Sequence, residues 1–171
     1  MKERKGIVSA GGQPVTLLGP EIAVGQNAPD FRLLDNDGNA VTLADSAGKV
    51  RLISVVPSLD TRVCDLQTRR FNAEADNLGD SVRILTVSVD LPFAQKRWCG
   101  AAGVDRLQTL SDHHDTSFGL AYGVLIKEKR LLARSIFILD EHDVVRYVQI
   151  VPSLGEEPNY QEALDALREL L

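Results

Sequence analysis

The chain has 171 residues, 44% of them apolar and 25% charged, which is the balance of an ordinary soluble globule. Nineteen basic residues against 24 acidic ones leave a net charge of −5. No basic surplus is available for phosphate backbones or anionic membranes, so neither nucleic acid nor a membrane surface is an expected partner. No apolar run approaches the ~20 residues that span a bilayer. Met1 to Lys5 lead into glycine and polar residues rather than an apolar signal core, so a cytoplasmic protein is expected. Cys64 and Cys99 are too few for a disulfide scaffold or a four-ligand zinc site; if they matter chemically, they matter as thiols.

There is no internal repeat and no linker-like stretch, so one domain over residues 1–171 is expected. Ile7-Val8 and Pro14 to Leu18 predict a small hairpin across Gly11-Gly12. Phe31 to Leu34 and Val41 to Leu43 predict a second one around Asp35-Asn36-Asp37-Gly38-Asn39, a loop that lacks the ligand spacing and closing glutamate of a calcium site. Val50 to Val56 and Val82 to Val89 are apolar almost throughout, as expected of neighbouring parallel strands buried on both faces. Between them Cys64, Thr68, Phe71, Ala75 and Leu78 recur at helical spacing and line one face of a helix that ends at Gly79. The three segments make a βαβ unit with a right-handed crossover.

A second helix is expected to start at a capping Asp90, with Pro92 in its first turn, and to stop at Gly100 or Gly103 after Trp98 and Cys99. Ser135 to Leu139 and Val144 to Val151 read as a further hairpin. Asn159 and Glu162 form a capping box, and Tyr160, Leu164, Leu167 and Leu171 give the last helix its apolar stripe. The fold class is α/β: a mixed central sheet flanked by helices, with an N-terminal β-hairpin.

The most informative residue is Cys64. A strand ends near Val56, Pro57 breaks the chain, and Asp60 or Thr61 is the natural N-cap, which puts Cys64 in the first helical turn. Open N–H groups and the positive end of the helix dipole favour an anion there, and the thiolate is the reactive form of cysteine. The plain alternative is a small buried core residue. Cys99 lies at the far end of the next helix, and the pair is not C-x-x-C. His113 and His114 stand between acidic residues without further ligands at zinc spacing, so no metal is expected. Phosphate loops and the G-x-S-x-G nucleophile turn are absent, so no flavin or nicotinamide cofactor is expected. Lys127 to Arg130 read as a solvated turn.

Pro57-Ser58-Leu59-Asp60-Thr61-Arg62-Val63-Cys64 resembles the P-x-x-x-T-x-x-C motif of peroxiredoxins. With Gln67 to Asn72, Asp90 to Gln95 running into Trp98-Cys99-Gly100, Ala121 to Val124 and Ala133 to Asp140, the chain is similar to the bacterial thiol peroxidase branch, the atypical two-cysteine peroxiredoxins. The likeness runs from about Pro14 to the C-terminus; Trp98 stands where another aromatic is usual.

The resemblance implies a thioredoxin-like fold and reduction of hydrogen peroxide or small organic hydroperoxides. It makes Cys64 the peroxidatic cysteine, oxidised to a sulfenic acid, and Cys99 the resolving cysteine that closes an intrachain disulfide with thioredoxin as reductant. Thr61 is then expected to offer its hydroxyl to thiolate and peroxide, Arg134 to hold both with its planar fork, and Pro57 to wall the pocket against water. A homodimer is also implied. Two rivals remain at this point: a general disulfide oxidoreductase, disfavoured by the lack of C-x-x-C, and a redox-sensing or chaperone-like protein that reacts once.

Overall fold

The computed structural model describes residues 1–171. β1 (Glu3–Ala10) and β2 (Gln13–Leu18) form the first expected hairpin. β3 (Arg32–Leu34) and β4 (Ala40–Thr42) form the second. The Asp35 carboxylate accepts the N–H groups of Asp37 and Asn39 at 2.9 Å each, so it holds the turn itself. After a 3-10 turn, β5 (Val50–Val55), α1 (Arg62–Leu78) and β6 (Val82–Ser88) make the βαβ unit, with parallel register from Val50 opposite Val82 to Val55 opposite Val87.

The chain continues through α2 (Pro92–Ala102), β7 (Gln108–Ser111), α3 (Ser117–Ala121), β8 (Leu125–Ile126) and β9 (Leu131–Leu132). It closes with β10 (Ser135–Leu139), β11 (Val145–Ile150) and α4 (Tyr160–Arg168). The main sheet has the order β11-β10-β5-β6-β7-β3-β4, parallel only across β5-β6-β7. A smaller sheet, β1-β2-β8-β9, covers part of one face.

Alternation along the central strands sorts their side chains between two cores. Ile53, Val55, Leu85, Val87, Phe137 and Leu139 face the hairpin residues Val8, Val15 and Leu17 and the α3 ring of Phe118. Leu52, Ile84, Ile136 and Ile138 face Phe71 and Leu78 of α1 and Leu164 and Leu167 of α4. The N-terminal hairpin therefore contributes to the larger core rather than hanging from it. No helix is long and apolar enough to cross a membrane.

Two local expectations need correction and two are made more specific. Leu91, not Asp90, is the N-cap of α2, because the Asp90 carboxylate is engaged by the loop before α1. Of the two stops expected for α2, Gly103 is the one used: φ there is +67° and its N–H returns to the Cys99 carbonyl. Leu171 lies beyond α4 and is exposed, leaving Tyr160, Leu164 and Leu167 as the stripe. The turn at 127–130 is solvated as expected and is also tied down: both Glu128 carboxylate oxygens accept the Thr16 N–H, at 3.1 and 2.9 Å, and Lys127 pairs with Glu3.

Candidate active site

α1 begins where the sequence places it. Thr61 is the N-cap, the first helical bond runs from Asp65 N–H to Thr61 O at 3.0 Å, and Cys64 is the third helical residue. Its N–H therefore belongs to the open first turn. The sulfur is fully buried with Val56 and Leu59, and Trp98 packs against this small cluster.

Arg134 enters the site from the residue before β10 and is only 2% exposed. Its Nη1 donates to Cys64 Sγ at 3.4 Å and to Gln67 Oε1 at 3.1 Å, while Nε and Nη2 donate to the Leu154 carbonyl at 3.2 and 2.7 Å. The oxygen acceptors are a side-chain amide and a backbone carbonyl, both neutral, and no carboxylate pairs with the guanidinium. A buried cation lacking a counterion is costly, so the sulfur is the one contact able to balance it by taking a negative charge.

Gln67 joins the site although its residue type suggested no role there. Its Oε1 takes Arg134 while its Nε2 donates to Ser54 Oγ at 2.8 Å, and it is completely buried. The available signal was its position three residues after Cys64, on the same helical face.

The loop between β5 and α1 is held from the end of β6. Asp90 accepts Ser58 Oγ and the Leu59 N–H at 2.8 Å each, and Ser88 Oγ at 2.7 Å. Thr61 departs from expectation: its hydroxyl donates to the Ser58 carbonyl at 2.9 Å and makes no hydrogen bond to the sulfur. A pocket of about 380 Å³, apolar in most of its lining, opens in front of these groups. Pro57, Thr61, Val63, Leu131, Arg134 and Leu154 line it, so Pro57 stands at the wall as expected.

Cys99 occupies the last turn of α2, half-buried, with its sulfur 3.4 Å from Thr109 Oγ1. Both thiols are unbridged and each has its own neighbours. The sequence neighbours of the thiols, Asp65 and Trp98, are bonded to each other, Trp98 Nε1 donating to Asp65 Oδ1 at 3.0 Å. No group of His, Cys, Asp and Glu has the arrangement of a metal site.

A buried thiol at a helix start, in hydrogen-bond contact with an unbalanced guanidinium that itself lines a small pocket, is equipped for nucleophilic attack on a small electrophile. Residues 23–164 match the Redoxin family model. The structure superposes on a peroxiredoxin-like protein from Aquifex aeolicus with a TM-score of 0.90 and 39% identity, covering 98% of this chain and 99% of the other. Fold and site together define a peroxiredoxin of thioredoxin-like architecture.

Among curated proteins, the chain is 59% identical to a thiol peroxidase of Halalkalibacterium halodurans, over 94% of this chain and 96% of that one. It is 57% identical to a thiol peroxidase of Bacillus subtilis, over 94% and 95%. The chain belongs to the thiol peroxidase family, enzymes that reduce peroxides with a cysteine thiol.

Proposed function

We propose that Cys64 is the peroxidatic cysteine, that Cys99 resolves it within the same chain, and that thioredoxin recycles the pair. The observation that carries this reading is the buried Arg134 guanidinium, without a carboxylate partner and donating to Cys64 Sγ at 3.4 Å. The Cys64 thiolate attacks the terminal oxygen of hydrogen peroxide or a small organic hydroperoxide. The O–O bond breaks, sulfur becomes a sulfenic acid, and the other oxygen leaves as water or alcohol after taking a proton. Arg134 has donors enough to hold sulfur and peroxide together. Thr61 turns its hydroxyl from the Ser58 carbonyl to the bound peroxide, and Pro57 keeps water out of the pocket.

The Cys99 thiol then displaces hydroxide from the sulfenic sulfur, giving a Cys64 to Cys99 disulfide and water. A thioredoxin dithiol reduces that bond by exchange, supplying two electrons and two protons. Each thiol has separate partners in the reduced fold, so the bond requires both helix ends to move. We place the reaction in the cytoplasm, where thioredoxin systems keep dithiols reduced. The working form is a homodimer. Phe93 and Leu91, 82% and 52% exposed, stand beside Asp90, whose carboxylate holds the loop before Cys64, so a second copy covering them packs near the site.

A coupled assay with thioredoxin, thioredoxin reductase and NADPH tests the cycle. NADPH consumption that continues for many equivalents of peroxide per chain is expected. Consumption that stops after one equivalent marks a single-use sensor and contradicts thioredoxin-linked turnover.

A further inference from the structure

α2 is held to the body by unusually little apolar surface. Its buried residues are Pro92 and Gln95 alone. The groups beneath it are Ser88, Thr109 and Ser111, all buried, and Gln95 reaches Ser88 Oγ at 3.0 Å and the Leu110 carbonyl at 2.9 Å. Gln95 Oε1 is left buried without a partner, which raises the free energy of the docked helix. An element seated on hydrogen bonds rather than on an apolar face is one that opens locally at low cost.

The last turns of α2 are fastened instead to the first turns of α1. Trp98 Nε1 donates to Asp65 Oδ1 at 3.0 Å, and Asp65 Oδ2 accepts Arg69 Nε at 2.9 Å one turn along. Arg69 continues across the gap: its Nη1 donates to the Ala102 carbonyl at 3.3 Å, and its guanidinium lies 5.8 Å from the Trp98 ring centroid. The two ends of this connection are next to the two thiols, Asp65 following Cys64 and Trp98 preceding Cys99.

We propose that Asp65 and Arg69 are positioning residues that latch α2 through Trp98 and thereby set how long the Cys64 sulfenic acid persists. The inference rests on the proposed resolution by Cys99. With the latch closed, Cys99 stays on Thr109 and the sulfenic acid waits; with it open, the end of α2 unwinds and the disulfide forms with loss of water. While the sulfenic acid waits, a second peroxide oxidises it to a sulfinic acid and is itself reduced to water or alcohol. The latch therefore governs the division between recycling and over-oxidation.

Quenched-flow mass spectrometry of the reduced full chain with hydrogen peroxide separates the steps, with sulfenic acid trapped by a dione reagent. Trp98→Phe keeps an aromatic ring against the Val56, Leu59 and Cys64 cluster while removing the indole N–H; Asp65→Asn weakens the acceptor. Each is expected to convert sulfenic acid to disulfide roughly fivefold faster than the parent, the effect of losing one hydrogen bond of ordinary net strength. The sulfinic fraction at excess peroxide falls in step. The double variant is expected to be no faster than Trp98→Phe alone, because both changes act on the same Trp98 to Asp65 bond, a pattern that a general loosening of structure does not produce. Parental rates in both singles, or multiplicative effects in the double, overturn the latch while leaving the peroxidase reading intact. A parent chain that forms no Cys64 to Cys99 bond overturns the reading and the latch together.

Discussion

The Arg134 guanidinium makes four hydrogen bonds at once, to Cys64, to Gln67 and twice to the Leu154 carbonyl. A lysine keeps the charge but has one nitrogen, and cannot reach all three partners. Arg134→Lys is therefore expected to lower the second-order rate with peroxide by at least about tenfold, with an unchanged circular dichroism spectrum. Single-turnover stopped-flow measures this, and a lysine variant as fast as the parent would show that Arg134 only supports the fold. Cys64, Thr61, Pro57 and Arg134 were legible because a short motif and a lone arginine ahead of an apolar strand stand out in one dimension. Gln67 was not. A glutamine on a helix reads as a surface residue until the chain returns, much later, with the guanidinium that buries it. The Thr61 bond to the Ser58 carbonyl was not foreseeable, because motif spacing brings a side chain to the site without saying which acceptor it takes before a peroxide arrives.

At the scale of elements, α3 depends on one buried carboxylate. Asp112 is 1% exposed and accepts the N–H groups of Phe118 and Gly119, at 3.1 and 2.8 Å, which are open donors of this short helix. Burial pushes its carboxyl up from 3.8 to about 6, against the pull of those two donors. Because the folded-state value lies above the unfolded one, the folded chain holds this proton more tightly. The resulting stabilisation is fully present below about pH 4 and is lost as pH rises to about 6. Urea unfolding between pH 4 and 6 should show the parent losing stability relative to Asp112→Asn as pH rises, and carbon NMR should place the Asp112 midpoint near 6. A midpoint near 4 would contradict this assignment.

Among the elements that the sequence announced, β5, α1, β6, β10 and α4 stand out by a sustained period or an unbroken apolar run, while the two early hairpins, α2 and β11 were marked by turn and cap residues. β7, β8, β9 and α3 went unread because segments of two to five residues carry no period. Their pairing with neighbours creates them. Asp90 was read as a cap from its place before Pro92, a local preference that the Ser58 and Leu59 donors override.

For the whole molecule, the exposed Phe93 and Leu91 carry the expectation of a dimer. Sedimentation of the parent at micromolar concentration should give a dimer, and Phe93→Asp should shift it to monomer, since burying an unpaired carboxylate costs several kcal/mol. A monomeric parent would contradict the dimer. A central sheet covered on both faces was foreseeable because its strands are apolar almost throughout, whereas the smaller sheet was not, because β8 and β9 are too short to show in the sequence. The contacts around the two thiols were not, since they join the start of one helix to the end of another through a tryptophan and two charged residues with no periodic signature. The division of labour between Cys64 and Cys99 is most directly tested by mixing one equivalent of hydrogen peroxide with the reduced parent, Cys64→Ser and Cys99→Ser and following peroxide loss together with intact mass. The parent should form the Cys64 to Cys99 bond, Cys99→Ser should consume one peroxide per chain and stop as a sulfenic acid, and Cys64→Ser should leave the peroxide untouched. Equal rates of peroxide loss in the two single variants would contradict the account.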